Sequence, residues 1–493
     1  MAWANLGGVE RSEAEAIYEA GKECCVEFIL ELAQALEQLT VANARLGERV
    51  GKLEEQTRQS SRNSSKPPSQ DPPATRQQRR AEARAKAKEM LRKAGGQPGH
   101  RGSGRKFAPE DQLDEIVDHY PDSCHGCGHE FGMQERVPSH RFGRHQVADL
   151  PPTSVILTEH RTHRLRCLRC AAKTTGVLPG EIGCSAFGPR LAAAIVSMTA
   201  RNRISRRDMT ELARELFGIS LSVGALDAIC QRAAVALVAP HEQLVAAVLA
   251  SPAVNLDETG WHTAGEGRTL WTATTPEAAI FRVAEDRHRD RLEELIGKDF
   301  EGIACSDRWW AYDHLDPCCR QVCWQHIYRD FRRHAEGLAL QKAFGEQGLA
   351  LTERLFSLWG AFGEHQDRTR LTDEMEPIQA ELRELLEHAA RKSKRTRLHR
   401  RFAANLLKIW PALFTFVTVE GVEPTNNAAE RSLRGPVIYR KLSHGTRSDD
   451  GERFIERILS ASVTCRLQHR SLFAYLVELF TAQARGDPHP ALA

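Results

Sequence analysis

Gly302-Ile303-Ala304-Cys305-Ser306-Asp307 is a short, mostly apolar run that ends in a carboxylate, and Val254-Asn255-Leu256-Asp257, earlier in the chain, has the same form. Short apolar runs of this kind predict buried β-strands. If the two strands lie side by side, Asp257 and Asp307 meet at one edge of a sheet. Two carboxylates there, joined by a third acid, can hold Mg²⁺ or Mn²⁺ ions for phosphodiester chemistry. Two structural carboxylates would fit the same pattern.

The surrounding sequence predicts the rest of this sheet. Further strands are expected at residues 269–274, 279–283 and 321–324, with a helix near 287–296. Three strands, a helix, a strand and then helices are typical of an α/β layer with a mixed sheet. The expected fold class is therefore a multidomain α/β protein.

The third acid is expected on a helix that begins near residue 426. Thr425 or Asn426 is a suitable N-cap for such a helix. Glu430, in its first turn, would then face the metal ions. Glu423 and Glu452 are the competing acids, so the third position has three candidates and Glu430 is preferred.

The same helix carries groups that suit DNA. Asn427 and Arg434 share a helical face with Glu430 and could hold scissile phosphates. Basic side chains on and after this helix, with no acid among them, fit a track for the DNA backbone: Arg431, Arg434, Arg440, Lys441 and Arg447.

Two CxxC pairs predict a structural zinc site in a zinc ribbon-like domain over residues 111–185. Each pair lets two thiolates converge on one ion, and two pairs complete the tetrahedral shell that zinc prefers: Cys124, Cys127, Cys167 and Cys170. His125 and His129 could substitute as ligands. The alternative is two unrelated reduced pairs.

A second group of metal-ligating residue types lies near residue 320. Cys318, Cys319, Cys323 and His326 could form another metal cluster. Two adjacent cysteines are poor geometry for one ion, so buried free thiols are the favoured interpretation. His326 and Asp330, one helical turn apart, would either assist the acidic site or form a core pair.

The first 58 residues have the pattern of a coiled coil. Apolar residues alternate spacings of three and four, with Asn43 as a single polar residue in the seam: Ile29, Leu32, Leu36, Leu39, Leu46, Val50 and Leu53. A homodimer or higher oligomer is expected. The alternative is a helix that packs on its own protein.

Two further regions favour nucleic acid. In the predicted linker, residues 59–110, positions 62–106 carry 13 basic and 3 acidic side chains, which fits a polyanionic partner, although a solvated charge run has the same composition. Residues 186–245 predict two helices around Gly218-Ile219-Ser220, the pattern of a helix-turn-helix. Many helical hairpins without DNA contacts share that pattern.

The composition excludes an integral membrane protein. A chain of 493 residues suggests about three domains, and no apolar run reaches the roughly 18 residues that a membrane span needs. The N-terminal residues are acidic and lack the layout of a signal peptide, so a cytoplasmic protein without a membrane partner is expected. In that compartment the 13 cysteines are expected as metal ligands or reduced thiols.

Three motifs, in this order, carry a resemblance to a known family: Asp257-Glu258-Thr259-Gly260-Trp261, Ser306-Asp307-Arg308-Trp309-Trp310 and Thr425-Asn426-Asn427-Ala428-Ala429-Glu430-Arg431. With the spaced CxxC pairs, they resemble the transposases of the insertion-sequence-sixty-six family. The resemblance implies a retroviral-integrase-like, RNase-H-like catalytic domain over residues 250–493. Its Asp-Asp-Glu triad would be Asp257, Asp307 and Glu430.

The resemblance and the helical composition also imply a helical insertion at about residues 331–415. The insertion would carry a basic cluster for DNA: Arg391, Lys392, Lys394, Arg395 and Arg397. The implied activity is that of a bacterial, nucleoid-associated DNA transposase that cleaves the ends of its element and transfers 3′ hydroxyls to target DNA. It would use Mg²⁺ or Mn²⁺ for catalysis and Zn²⁺ for structure.

The implied partners are double-stranded DNA, from the terminal inverted repeats and the target, and small companion proteins of the same element. The competing function from another class is a non-catalytic, zinc-containing DNA-binding regulator derived from a transposase. A metal-dependent, structure-specific nuclease would share the acidic site but would cut without strand transfer.

Overall fold

The computed structural model describes residues 11–60, 63, 77, 81, 107–136, 145–150, 155–179, 182, 185–337, 339–391 and 397–492. The chain divides into two compact units. One comprises Met1–Pro72, Thr162–Met209 and Val223–Ala493, and the other comprises Pro73–Arg161 and Thr210–Ser222.

The described residues form strands and helices in the following order. The strands are β1 Arg164–Arg166, β2 Lys173–Thr175, β3 Ala253–Thr263, β4 Glu266–Thr274, β5 Ala279–Ala284, β6 Ile303–Ser306 and β7 Arg320–Val322. The helices are α1 Arg11–Glu19, α2 Lys22–Arg58, α3 Met133–Arg136, α4 Pro189–Ala200, α5 Arg206–Phe217, α6 Val223–Ala236, α7 Val238–Leu249, α8 Arg289–Ile296, α9 Trp324–Ala335, α10 Ala339–His365, α11 Arg368–Ala390, α12 Arg397–Lys408, α13 Pro411–Thr418, α14 Asn427–Ser443, α15 Asp449–Leu467 and α16 Leu472–Arg485.

Strands β3 to β7 form one five-stranded sheet in the order β5-β4-β3-β6-β7. β4 is antiparallel to both of its neighbours, β3 and β5. β6 is parallel to both of its neighbours, β3 and β7. The mixed sheet predicted from the sequence is confirmed, and β3 is the strand at which the pairing changes from antiparallel to parallel.

Strand β3 is longer than the sequence indicated. The sequence predicted a strand that ends at Asp257, but β3 continues to Thr263 and turns into β4 through Ala264 and Gly265. Both turn residues have positive φ, 52° and 90°, as a two-residue hairpin of this kind requires. The prediction was wrong because the polar residues after Asp257 pair with β4 alone, whereas pairing with β6 stops at Asn255.

The outer edge of β5 is covered by helix α15. The backbone N–H groups of Ala279, Phe281 and Val283 donate to side-chain oxygens of Thr464, Ser460 and Glu456 at 3.0, 3.0 and 2.7 Å. Every second residue of the strand therefore matches every fourth residue of the helix, since two strand residues span about 6.6 Å and four helical residues about 6 Å. This helix closes an edge that would otherwise expose unpaired backbone donors.

Helices α9 to α13 lie between β7 and α14 and share one apolar core. Large side chains of this core are fully or almost fully buried: Phe331, Leu355, Met375, Leu382, Leu406 and Phe416. The helical composition predicted for residues 331–410 is thus present in the described part of that segment. Its consequence is that Cys323, directly after β7, and Asn426, directly before α14, are joined by a hydrogen bond although 103 positions of the chain separate them.

Helix α2 spans the residues of the predicted coiled coil. Of its seam residues, Leu32 is half-buried, and six others are 52–67% exposed: Ile29, Leu36, Leu39, Leu46, Val50 and Leu53. Within the described ranges no single helix is both long and apolar enough to cross a membrane, and only the pair α6 and α7, bent by 47°, meets the length and composition criteria jointly.

Candidate active site

Asp257 and Asp307 occupy equivalent positions on neighbouring parallel strands. Asn255 of β3 is paired with Cys305 of β6, and each aspartate follows its paired residue by two positions. Neighbouring strands lie about 4.8 Å apart, so the two aspartates lie side by side just beyond the last paired residues of β3 and β6. The predicted meeting of Asp257 and Asp307 at one edge follows from this register.

Asp257 is a half-buried acid among other acids. Burial raises the pKa of Asp257 well above its ordinary value, and the negative charges of Glu258, Asp307 and Glu430 raise it further. The backbone N–H of Glu258 donates to Oδ1 of Asp257 at 2.9 Å, and this hydrogen bond lowers the pKa of Asp257. The charged form is costly here because the other carboxylates repel it, and a divalent cation among them would offset that cost.

Glu430 is positioned by the residue before helix α14. The buried side chain of Asn426 donates from Nδ2 to the carbonyl of Leu256 at 2.6 Å, one residue before Asp257. The N–H of Glu430 donates to the carbonyl of Asn426 at 3.2 Å. Asn426 therefore joins the start of the helix to β3 and brings Glu430 toward Asp257.

The two competing acids lie elsewhere. Glu452 accepts a hydrogen bond from the hydroxyl of Thr263 and lies 3.8 Å from Arg268. Thr263 is six residues beyond Asp257 on β3, which corresponds to roughly 20 Å along a strand. Glu423 is exposed and does not figure among the charges that raise the pKa of Asp257.

Glu258 is a further buried acid that the sequence analysis did not single out. Its side chain is 2% exposed, and burial raises its pKa, with Asp307 adding to the effect. Tyr312 donates to its Oε2 at 2.7 Å and Arg287 forms an ion pair with Oε1. The guanidinium of Arg287 also lies 4.3 Å from the ring centre of Trp309. The signal in the sequence was an acid directly beside Asp257, which alone does not distinguish a buried side chain from an exposed one.

The loop after β6 is held by a buried arginine. Arg320, 1% exposed, donates to the carbonyls of Asp307 and Tyr312 at 2.7 and 3.0 Å and to Ser306 Oγ at 3.2 Å. The N–H of Trp309 donates to Asp307 Oδ1 at 2.8 Å. These contacts fix the backbone that carries Asp307 and the direction of its carboxylate.

Cys323 and His326, at the start of α9, lie beside Glu430. The potential ligand atoms of these three residues are all within 4.8 Å of one another. Burial raises the pKa of the Cys323 thiol to about 11, and burial lowers the pKa of His326, against the opposing charges of Asp307 and Glu430. The interpretation of these cysteines as buried thiols is correct for Cys323, which adjoins the acids. It was wrong for Cys318, which is exposed, and for Cys319, which is half-buried.

The predicted DNA-contacting residues of α14 fall outside the buried stripe of that helix. Arg431, Arg434 and Lys441 are exposed, as is Arg447 in the loop beyond it. Arg440 is instead half-buried, and its Nη1 donates to Thr259 Oγ1 at 3.2 Å and to the carbonyl of Gly260. Asn427 is half-buried at the first position of the helix.

The predicted basic cluster of the helical segment is described only at its ends. Arg391 is exposed after α11. Lys392, Lys394 and Arg395 lie outside the described residues. Arg397 begins helix α12, and its side chain is outside the described part as well.

The two CxxC pairs form matching local turns, one in each unit of the chain. In the first, Gly128 N–H donates to the carbonyl of Cys124 at 2.8 Å, and in the second, Ala171 N–H donates to the carbonyl of Cys167 at 2.8 Å. Backbone N–H groups lower the pKa of each leading thiol, from Gly126 and Cys127 for Cys124 and from Cys170 and Arg169 for Cys167. Each turn therefore gathers backbone donors around sulfur, as a thiolate ligand requires.

Comparison with protein families identifies the class of protein. Residues 184–453, more than half of the chain and all of the acidic site, match the family described as Transposase IS66 family. The chain belongs to this transposase family. Residues 19–106 match a family of unknown function, DUF6444. No curated protein matches the chain significantly.

Proposed function

We propose that the chain is a DDE-type DNA transposase that cleaves the ends of its element and transfers 3′ hydroxyls to target DNA. The observation that carries the proposal is the convergence of three acids: Asp257 and Asp307 follow paired residues of β3 and β6, and Asn426 joins the helix of Glu430 to β3 next to Asp257. An RNase-H-like catalytic domain is supported by three antiparallel strands continued by two parallel ones.

The donor set of this site suits hard cations. Asp257, Asp307 and Glu430 offer carboxylate oxygens, which Mg²⁺ and Mn²⁺ prefer. Two such ions, held by these residues, would activate the attacking oxygen and stabilise the leaving oxygen of an in-line displacement. The fit is supported by the burial and mutual repulsion of the acids.

The chain's own residues have separate tasks in this proposal. Glu258, Tyr312 and Arg320 fix the backbone and the carboxylates around the site. Asn427 and the exposed Arg431 and Arg434, on the first turns of α14, would hold phosphates beside Glu430. Water and then a 3′ hydroxyl act as nucleophiles, so no covalent enzyme intermediate is needed.

The outlying parts of the chain would organise the DNA complex. Lys441, Arg447 and the cluster around Arg391 would contact the backbone of double-stranded DNA, whether element end or target. The exposed seam of α2 supports self-association of protomers through a coiled coil. The helices around Gly218 would read element ends, and each CxxC turn would supply two thiolates for structural Zn²⁺.

The experiment is a cleavage and joining assay on labelled DNA from both flanks of the gene, with Mg²⁺. Nicking at a terminal repeat, followed by joined products, is expected for the unaltered protein and not for Asp307→Asn. Glu423→Gln is the matched control, because it removes an exposed carboxylate from the loop that precedes α14. Tight DNA binding without cleavage, with the element's other gene products added, would instead favour the regulator. Cleavage without joining would favour the nuclease.

A further inference from the structure

The cluster of Cys323, His326 and Glu430 combines donors that a magnesium site does not need. A thiol, an imidazole and a carboxylate have their ligand atoms within 4.8 Å of one another. Sulfur and imidazole nitrogen favour zinc and similar ions over magnesium, which takes oxygen ligands. Three protein ligands with a fourth position left for water is a common arrangement for zinc.

The hydrogen bonds and burial around Cys323 and His326 suit residues that bind a metal ion. The N–H of Asn426 donates to Cys323 Sγ at 3.2 Å. Nδ1 of His326 is buried, and none of the described residues gives it a hydrogen-bond partner. A buried polar atom without a hydrogen-bond partner is destabilising, and a bound ion or its ordered water would give this atom a partner. Arg329, 3.8 Å from Glu430 Oε1, is a positive charge near the cluster.

The cluster is built into the two strands that carry the aspartates. The N–H of Cys323 donates to the carbonyl of Ser306 at 2.9 Å, one residue before Asp307. Asn426, which donates to Cys323 through its backbone, donates to Leu256 through its side chain. Glu430 is thus shared by two groups of potential ligands, the aspartates and the pair of Cys323 and His326.

We propose that Cys323, His326 and Glu430 bind a thiophilic divalent cation such as Zn²⁺, and that an ion held there draws Glu430 away from Asp257 and Asp307. On binding, the thiol proton leaves to solvent and the thiolate becomes a ligand. The result is a site at which zinc inhibits the Mg²⁺-dependent reaction. This second half of the proposal rests on the role of Glu430 in the proposed function.

The binding half is tested with Cd²⁺, which bonds thiolates as zinc does. The full-length protein is saturated with Cd²⁺, passed through a desalting column, and its bound metal is counted by mass spectrometry. Cys323→Ser and His326→Gln are expected to hold one ion fewer per chain than the unaltered protein. Cys305→Ser, which removes a buried thiol of strand β6, is expected to hold the same number as the unaltered protein. The CxxC cysteines are unchanged in all four proteins, so any Cd²⁺ that they bind adds the same number of ions to each count.

A second variant guards against misfolding. Glu430→Gln alters a partly exposed side chain on another helix, and it is also expected to lose one ion. Equal metal content in the unaltered protein and in folded Cys323→Ser, His326→Gln or Glu430→Gln would overturn the site.

The inhibition half is tested by the cleavage assay at saturating Mg²⁺. Zn²⁺ is expected to inhibit the unaltered protein and Cys305→Ser, and each variant is compared with its own rate without zinc. For His326→Gln the concentration for half inhibition is expected to rise at least about 100-fold, since even outer-shell losses reduce metal affinity by up to that factor. Equal inhibition of all variants by Zn²⁺ would overturn the proposal that the bound ion draws Glu430 away from Asp257 and Asp307. If no protein cleaves DNA at all, the proposed function fails while the metal count still decides the site.

Discussion

Asn426→Ala tests whether one buried amide positions Glu430. Asn426 is 1% exposed, and its Nδ2 donates to the carbonyl of Leu256 at 2.6 Å. Loss of this bond leaves a buried carbonyl without its partner, which costs about 1–3 kcal/mol of unfolding free energy. It also releases the first turn of α14 from β3, and a displacement near 1 Å at a reacting site can cost on the order of 100-fold in rate.

The assay separates stability from positioning by a matched variant. Ser460→Ala removes another buried hydrogen bond, 3.0 Å from Phe281 N, at the far edge of the same sheet. Both variants are expected to lower the urea midpoint by a similar amount, followed by tryptophan fluorescence. Only Asn426→Ala is expected to lose cleavage activity by 10- to 100-fold, an order-of-magnitude expectation, at a temperature where both are folded. Equal activity of the two variants would refute the positioning role.

Three further results are expected. First, Asp257→Asn should raise the unfolding midpoint near neutral pH when EDTA is present. The pKa of Asp257 is raised in the folded protein, so ionisation of this side chain destabilises the fold as the pH rises through that pKa. The gain in midpoint should vanish at pH values below the ordinary carboxyl range, where Asp257 is protonated in both states. A gain that persists at low pH would contradict this cause. Second, Leu46→Glu in the exposed seam of α2 should shift the protein to a lower oligomer in sedimentation, whereas Glu37→Gln, outside the seam, should not; unchanged mass for both would remove the coiled-coil role. Third, Arg434→Ala should weaken DNA binding with little sequence dependence and should lower the salt slope by about 1, measured by fluorescence anisotropy at several salt concentrations; an unchanged slope would place Arg434 away from phosphate.

Local patterns predicted the strands and the helix that carry Asp257, Asp307 and Glu430, because chain neighbours decide these elements. The apolar runs before Asp257 and Asp307 become β3 and β6, and their parallel register brings the two acids together. Glu430 was predicted from an N-cap and helical spacing. The helix α14 does begin at Asn427, but the side chain of Asn426 makes no capping hydrogen bond and donates to Leu256 instead. These features depend on local propensity and on one strand pairing.

Features that depend on contacts between distant parts of the chain could not be predicted from local sequence patterns. The extension of β3 beyond Asp257 is decided by its partner β4, because Glu258-Thr259-Gly260 has no strand pattern of its own. The burial of Glu258 needs Tyr312 and Arg287, which lie on other segments. Arg440 was predicted as a DNA contact from its charge, yet its donation to Thr259 and Gly260 depends on how α14 packs on β3.

The central claim is that Asp257, Asp307 and Glu430 hold catalytic cations together. The most direct measurement is a crystal structure of the protein with Mn²⁺, with the ions located by anomalous scattering. The account predicts two manganese peaks about 3.5–4 Å apart, ligated by oxygens of all three residues. Manganese bound elsewhere, or bound without Glu430, would contradict it.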